Sequence, residues 1–131
     1  MVAAVFLRIV ATCLVLAWPA LGSAHQGTGA HGGLVSDAGP YYIELVLKDA
    51  DLRIFVFDDK TDGPVRTAEA SATATILAGQ DKQTVTLRPG PAGTGDNEMV
   101  GQVAKTAEAV TRIAVLIQLP GKPSIIARFA L

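Results

Sequence analysis

The stretch YYIELVLKDADLRIFVFD, residues 41–58, alternates apolar and polar side chains on either side of a break at Asp49-Ala50. Strict alternation over about eight residues is the pattern of a β-strand with one buried face. The predicted inward-facing side chains are Ile43, Leu45, Leu47, Leu52, Ile54 and Val56. Two such segments joined by a two-residue connection predict a β-hairpin.

Short strands continue beyond this hairpin. Asp and Gly tolerate left-handed geometry and Pro presets its own φ, so residues 58–64 predict a turn. The further predicted strands cover 70–77, 83–87, 98–103, 110–119 and 124–130, with a corner over 104–109. Seven short strands at nearly regular spacing predict an all-β fold, an antiparallel immunoglobulin-like sandwich over residues 40–131, with a small barrel as the alternative.

Residues 25–39, which precede the hairpin, contain five glycines and both histidines of the chain, His25 and His31. Glycine loses more backbone entropy on ordering than any other residue. We therefore expect a flexible Gly/His arm, unless a ligand or the domain holds it in place.

The first 24 residues follow the order of a secretory signal peptide. A single cation, Arg8, lies within an apolar run, and small residues precede the expected cleavage after Ala24. A retained anchor is the alternative, but the apolar run before Trp18-Pro19 is shorter than the roughly 20 residues that span a bilayer. We expect an exported protein that does not span the membrane once the signal is removed.

The remaining residues exclude several classes of function. Removal of residues 1–24 takes away the only cysteine, so no disulfide, thiolate metal site or cysteine nucleophile remains. Ten Lys and Arg then stand against twelve Asp and Glu, a formal charge of minus two. The signs alternate along the chain, so we expect no nucleic-acid partner.

An enzyme is not predicted. A Ser-His-Asp triad needs a rigidly held histidine, and both histidines lie in the arm. Asp58 and Asp59 are neighbours in a polar turn, where their side chains point in different directions. The glycines near residues 90–95 do not follow the strand-to-helix order that binds phosphate.

The arm itself carries the candidate chemistry. Imidazole binds copper, nickel and zinc, and cleavage after Ala24 would give His25 a free α-amino group as a second nitrogen. His31 could add a third nitrogen, and Met99 is a possible soft ligand for cuprous ion. Two histidines do not complete a structural zinc site, so any bound metal should be exchangeable. The alternative is that both histidines are solvated and bind nothing.

The chain also resembles small periplasmic His-Gly-Gly proteins, similar to the β-rich segments associated with adaptor subunits of heavy-metal efflux pumps. The residues that carry this resemblance are Ala30–Gly33, Tyr41–Val46, Asp51–Val56, Asp62–Val65 and Gly121–Phe129. The resemblance implies a periplasmic, non-enzymatic protein linked to copper or other divalent cations, with His31 and His25 as ligands. The chain also has a looser similarity to periplasmic copper carriers, but it lacks the histidine that those proteins have late in the domain.

Two functions follow as hypotheses. The first is metal binding or delivery, with the sandwich docking on an efflux component. The second is an envelope interaction module that binds a protein through outward-facing Tyr42, Phe55 and Phe57, which would share one side of the sheet. A reversed register, which would place these aromatic side chains in the core, remains open.

Overall fold

The computed structural model describes residues 28–91 and 95–131. Every regular element in these ranges is a β-strand, and no described helix is long and apolar enough to cross a membrane. The strands are β1 (Leu34–Ala38), β2 (Tyr41–Lys48), β3 (Asp51–Asp58), β4 (Ser71–Ala78), β5 (Asp81–Pro89), β6 (Glu98–Gln102), β7 (Val110–Gln118) and β8 (Ile125–Ala130). The predicted signal peptide, residues 1–24, lies outside the described residues.

The eight strands form one antiparallel sheet in the order β1-β2-β3-β6-β5-β4-β7-β8. β5 joins the two halves, because it pairs with β4 over most of its length and then with β6 through Arg88 and Pro89. At the other side, β1 and β8 approach each other without being hydrogen-bonded neighbours. The result is a nearly closed, barrel-like sheet.

The prediction of an all-β antiparallel fold is confirmed, whereas the number and layout of the strands differ from it. A seven-stranded immunoglobulin-like sandwich is not clearly present, and the barrel-like sheet is closer to the alternative. The eighth strand is β1, which lies within the segment predicted to be a flexible arm. For Leu34–Ala38 the stated exception applies, because the domain holds these residues in place by pairing them along β2 from Leu45 to Tyr41.

Of the two hairpin registers left open by the sequence, the structure has the one with Ile54 and Val56 inside and Phe55 outside. β2 and β3 pair from Tyr41↔Asp58 to Lys48↔Asp51, and the side chains at alternate positions point into the barrel. The buried side chains that fill the interior from this hairpin are Ile43, Leu45, Leu52, Ile54 and Val56, and the other half supplies Ala72, Ala74, Ile76, Val85, Leu87, Ile113, Val115, Ile117, Ala127 and Phe129. Phe55 therefore points outward, as the alternation predicts.

The connections use the expected turn chemistry. Asp49 has a φ of 54° between β2 and β3, and Asp62 has a φ of 56° after β3. The Asp58 carboxylate accepts hydrogen bonds from the backbone N–H groups of Thr61 and Lys60, at 3.0 and 2.9 Å. These bonds favour the ionised form and lower the pKa of Asp58. Residues 104–109 form a loop between β6 and β7.

Gly101 lets β5 lie close to β6 inside the barrel. A Cβ atom at this position would come within 2.6 Å of the Leu87 side chain and 2.9 Å of Val85, both of which are buried. We expect Gly101→Ala to lower the free energy of unfolding by about 1–3 kcal/mol, the usual cost of overpacking. Urea unfolding measures this change.

The matched control is Lys82→Ala, at an exposed position on the outer face of β5. An exposed substitution of this kind usually changes stability by about 0.5 kcal/mol or less. Equal midpoints for the two variants would contradict the close approach of β5 and β6.

Candidate functional site

A buried carboxylate lies on the outer side of the sheet. Glu44 occupies an outward position of β2, yet its side chain is only 1% exposed. The N–H groups of His31 and Gly33 donate to Oε2 of Glu44, at 2.8 and 2.9 Å. The ring nitrogen Nδ1 of His31 lies 2.8 Å from Oε1. Both oxygens of this carboxylate are therefore hydrogen-bonded to one short segment of the chain.

That segment, residues 28–33, folds over β2 as a compact loop. Thr28 forms an isolated antiparallel bridge with Leu34, and the N–H of Gly29 donates to the carbonyl oxygen of Gly33 at 2.9 Å. A Cβ atom on Gly33 would collide with the carbonyl oxygen of Leu45, and one on Gly29 would collide with the Glu44 carboxyl group. Gly29 and Gly33 therefore allow the loop to lie close against β2. The sequence instead predicts flexibility from these glycines.

His31 lies flat on Phe55. The two ring centroids are 3.7 Å apart and the ring planes differ by 5°, so the rings are stacked. Phe55 is 1% exposed as a result, although it faces outward. Because an ionised carboxylate can only accept a hydrogen bond, the contact with Glu44 assigns the proton to Nδ1 of His31. In the neutral imidazole, Nε2 then carries the free lone pair, and 40% of the His31 side chain is exposed.

A second buried carboxylate lies on the far side of Phe55. Glu44, Phe55 and Glu98 are register partners in one row across β2, β3 and β6, and Glu98 is also almost completely buried. Nη2 of Arg53 donates to Oε2 of Glu98 at 2.5 Å, and the Arg53 guanidinium lies 5.1 Å from the centroid of the Phe55 ring. Each carboxylate thus has a cationic or proton-donating partner beside the same aromatic ring.

The structure separates the predicted metal ligands. His31 lies outside the barrel, whereas Met99 is fully buried in the interior, opposite Ile54. Ile54 and Phe55 point to opposite faces of β3, so His31 and Met99 are on opposite sides of the sheet. His25 lies outside the described residues. Within residues 28–91 and 95–131, no three His, Cys, Asp or Glu side chains are grouped so as to hold a metal ion.

The predicted aromatic contact patch is smaller than expected, because His31 covers Phe55. Tyr42 and Phe57 remain half-buried on the outer face and stack on each other, with centroids 4.9 Å apart. Burial and the nearby carboxylate of Asp62 raise the pKa of Tyr42.

Sequence reasoning did not identify Glu44 and Glu98 as site residues. Both occupy outward positions, where an acidic side chain is normally solvated. The available signal was indirect: His31 and Gly33, which supply the donors to the Glu44 carboxylate, lie 13 and 11 residues before the only Glu of β2. These donors reach the Glu44 carboxylate only because β1 pairs with β2.

Comparison with protein-family models, with curated proteins and with solved structures finds no match for this chain. The resemblance to efflux-associated periplasmic proteins therefore depends on the short motifs described above.

Glu44→Gln tests the contact that holds the loop. The amide has the same shape but no charge, and only one acceptor oxygen. That oxygen is needed by the N–H groups of His31 and Gly33, which leaves the NH₂ group facing Nδ1 of His31, where it cannot accept a proton. A hydrogen bond to a charged group contributes about 1.5–3 kcal/mol, so we expect a loss of that order in the free energy of unfolding. Urea unfolding measures the loss, and Glu69→Gln, in an exposed loop, is the control.

Equal stability of the two variants would show that the carboxylate does not hold the loop. Nitrogen-detected NMR of His31 gives an independent readout, because we expect its proton to move from Nδ1 to Nε2 in Glu44→Gln and to stay on Nδ1 in Glu69→Gln.

Proposed function

We propose that this chain is a periplasmic, non-enzymatic protein that binds copper or a similar divalent ion at its N-terminal histidines and passes it on. The observation that supports this function best is the orientation of His31, whose Nδ1 faces the buried carboxylate of Glu44 at 2.8 Å. Metal-ligating histidines commonly donate their second ring N–H to a carboxylate, which fixes the tautomer and makes the ligating nitrogen more basic.

The surroundings of His31 suit a ligand. Its ring is held by the stack on Phe55 and by the backbone hydrogen bond to Glu44, so little side-chain entropy remains to be lost on binding. Nε2 is the nitrogen left for a metal, and the side chain is partly open to solvent. A single imidazole does not hold copper tightly, so further ligands must come from elsewhere.

His25 is the proposed source of those ligands. If the signal peptide is removed after Ala24, His25 offers an α-amine and an imidazole on one residue. His31 follows His25 by six positions, and an extended chain of that length spans about 20 Å, so the two imidazoles can reach one metal ion. Met99 takes no part in this proposal, because its thioether is fully buried in the barrel interior.

A site of this kind exchanges its metal readily, as expected of a carrier. Two histidines and an amine give fewer ligands than the closed four-coordinate cage of a structural site. The proposed recipient is a metal-efflux or other envelope protein, in line with the resemblance drawn from the sequence. The barrel would then present the histidine segment on a stable surface.

Titration with cupric ion tests the proposed function. The protein is purified after export, and its intact mass with and without copper reports the N-terminus and any bound ion. We expect binding that is lost in the His25→Ala, His31→Ala double variant, since no other histidine is present. Met99→Leu is the control and should bind copper like the unmodified protein.

Unchanged copper binding in the double histidine variant would refute the proposed function. Weaker binding in Met99→Leu, at unchanged stability, would restore the thioether as a ligand and contradict its assignment to the interior.

Glu44→Gln tests whether the carboxylate of Glu44 orients His31 for metal binding or whether the two histidines bind copper without it. The substitution leaves both imidazoles in place and moves the His31 proton onto the proposed ligating nitrogen. Loss of such an outer partner typically weakens metal binding about 10–100-fold. Copper affinity equal to that of Glu69→Gln would show that His31 binds without help from the carboxylate.

A further inference from the structure

The outer face of the other half of the barrel, formed by β5, β4, β7 and β8, is built differently from the histidine side. Its outward positions follow one register across the four strands. The outward side chains are Lys82, Thr84, Thr86 and Arg88 on β5, Ser71, Thr73, Thr75 and Leu77 on β4, Arg112, Ala114, Leu116 and Gln118 on β7, and Ile126, Arg128 and Ala130 on β8. We call this set the threonine-arginine face.

The threonine-arginine face is cationic, although the whole chain has a formal charge of minus one. Four of its side chains are Lys or Arg, and no outward position in these four strands carries Asp or Glu. Asp81 and Glu108 lie beside the β4–β5 turn, at one end of the face. None of the four cations forms an ion pair with another residue of 28–91 or 95–131. All four are exposed to solvent, so they are available to an external anion.

Two of the cations line a surface pocket. Arg128 lies opposite Ala114 in the β7–β8 register, and Arg112 lies two residues before Ala114 on the same face of β7. The small Ala114 side chain leaves room for a pocket of about 210 Å³, also lined by Thr75 and Leu77. Two guanidinium groups and a hydroxyl group are donors suited to a phosphate group.

Two large aliphatic side chains lie next to these cations. Leu116 and Ile126 are register partners on β7 and β8, and each is 45% exposed. Measured along the curved sheet, strand spacing and residue spacing place them and all four cations within about 14 Å by 20 Å. A soluble polyanion would need the charges but not the adjacent pair of exposed aliphatic groups. A phospholipid surface uses both, since peripheral binding combines apolar burial with attraction to anionic headgroups.

We propose that the threonine-arginine face docks on an anionic phospholipid membrane. Arg112 and Arg128 bind a headgroup phosphate, and Leu116 and Ile126 enter the boundary between headgroups and acyl chains. Lys82 and Arg88, on β5, add attraction to the surface. The histidine segment lies on the other half of the barrel, so neither this face nor its test involves the proposed metal ligands.

Sedimentation with phospholipid vesicles tests this docking surface. The protein, purified after export and checked by intact mass, is mixed with vesicles of phosphatidylcholine alone or with added phosphatidylglycerol. We expect binding only to the anionic vesicles, and weaker binding as salt is raised. In the Arg112→Gln, Arg128→Gln double variant we expect a loss on the order of thirty-fold, from ~1 kcal/mol for each cation near the membrane.

The matched control is Lys48→Gln, Lys60→Gln, which removes the same charge from exposed positions on the other half of the barrel. This control should bind the anionic vesicles like the unmodified protein. Equal losses in the two double variants would overturn the proposal, because binding would then depend on net charge and not on this face. Absence of binding to anionic vesicles would overturn it as well.

A further double variant, Leu116→Ser with Ile126→Ser, distinguishes binding to a membrane from binding to a soluble anion. Both positions are exposed, so the fold should tolerate the change, and we expect vesicle binding to fall while retention on immobilised dextran sulfate stays the same. Binding to dextran sulfate or to inorganic phosphate without binding to vesicles would assign the face to soluble anions and would refute membrane docking.

Discussion

The buried carboxylate of Glu44 is the constraint around which the N-terminal part of this barrel is arranged. A charge removed from water costs several kcal/mol unless hydrogen bonds replace its solvation. His31 and Gly33 supply those bonds, and both belong to the segment that leads into β1. The pairing of β1 with β2 and the burial of Glu44 therefore support each other, since either one alone would leave polar groups without partners.

This constraint also determines what the histidine can do. A histidine in a glycine-rich segment would ordinarily sample many orientations, but the stack on Phe55 and the bond from Nδ1 hold this ring in one of them. The carboxylate acts on the imidazole as a positioning group, and the aromatic ring excludes water from beneath it. A proposed ligand is thus held by the body of the protein and not by the arm.

The barrel separates two chemistries by a simple geometric rule. Alternate side chains of every strand fill one apolar interior, so the outer faces are free to differ. One outer face carries the two buried glutamates with Phe55 and His31, and the opposite half carries cations and threonines. The low net charge of the chain hides this division, because it averages over surfaces that point in different directions. Two proposed binding functions can therefore coexist on a barrel of eight short strands.

The sequence by itself determined the local features: the antiparallel all-β class, the bounds of the β2–β3 hairpin and the two alternating sets of side chains on each of its strands. These depend on period-two alternation and on turn residues that act within a few positions. The tertiary structure alone decided that residues 34–38 form a strand, that Glu44 and Glu98 are buried, and that His31 and Met99 lie on opposite sides of the sheet. A glycine that gives flexibility and a glycine that allows close approach look the same in a sequence. What distinguishes them is the neighbouring backbone, which is brought there by pairing between residues distant along the chain.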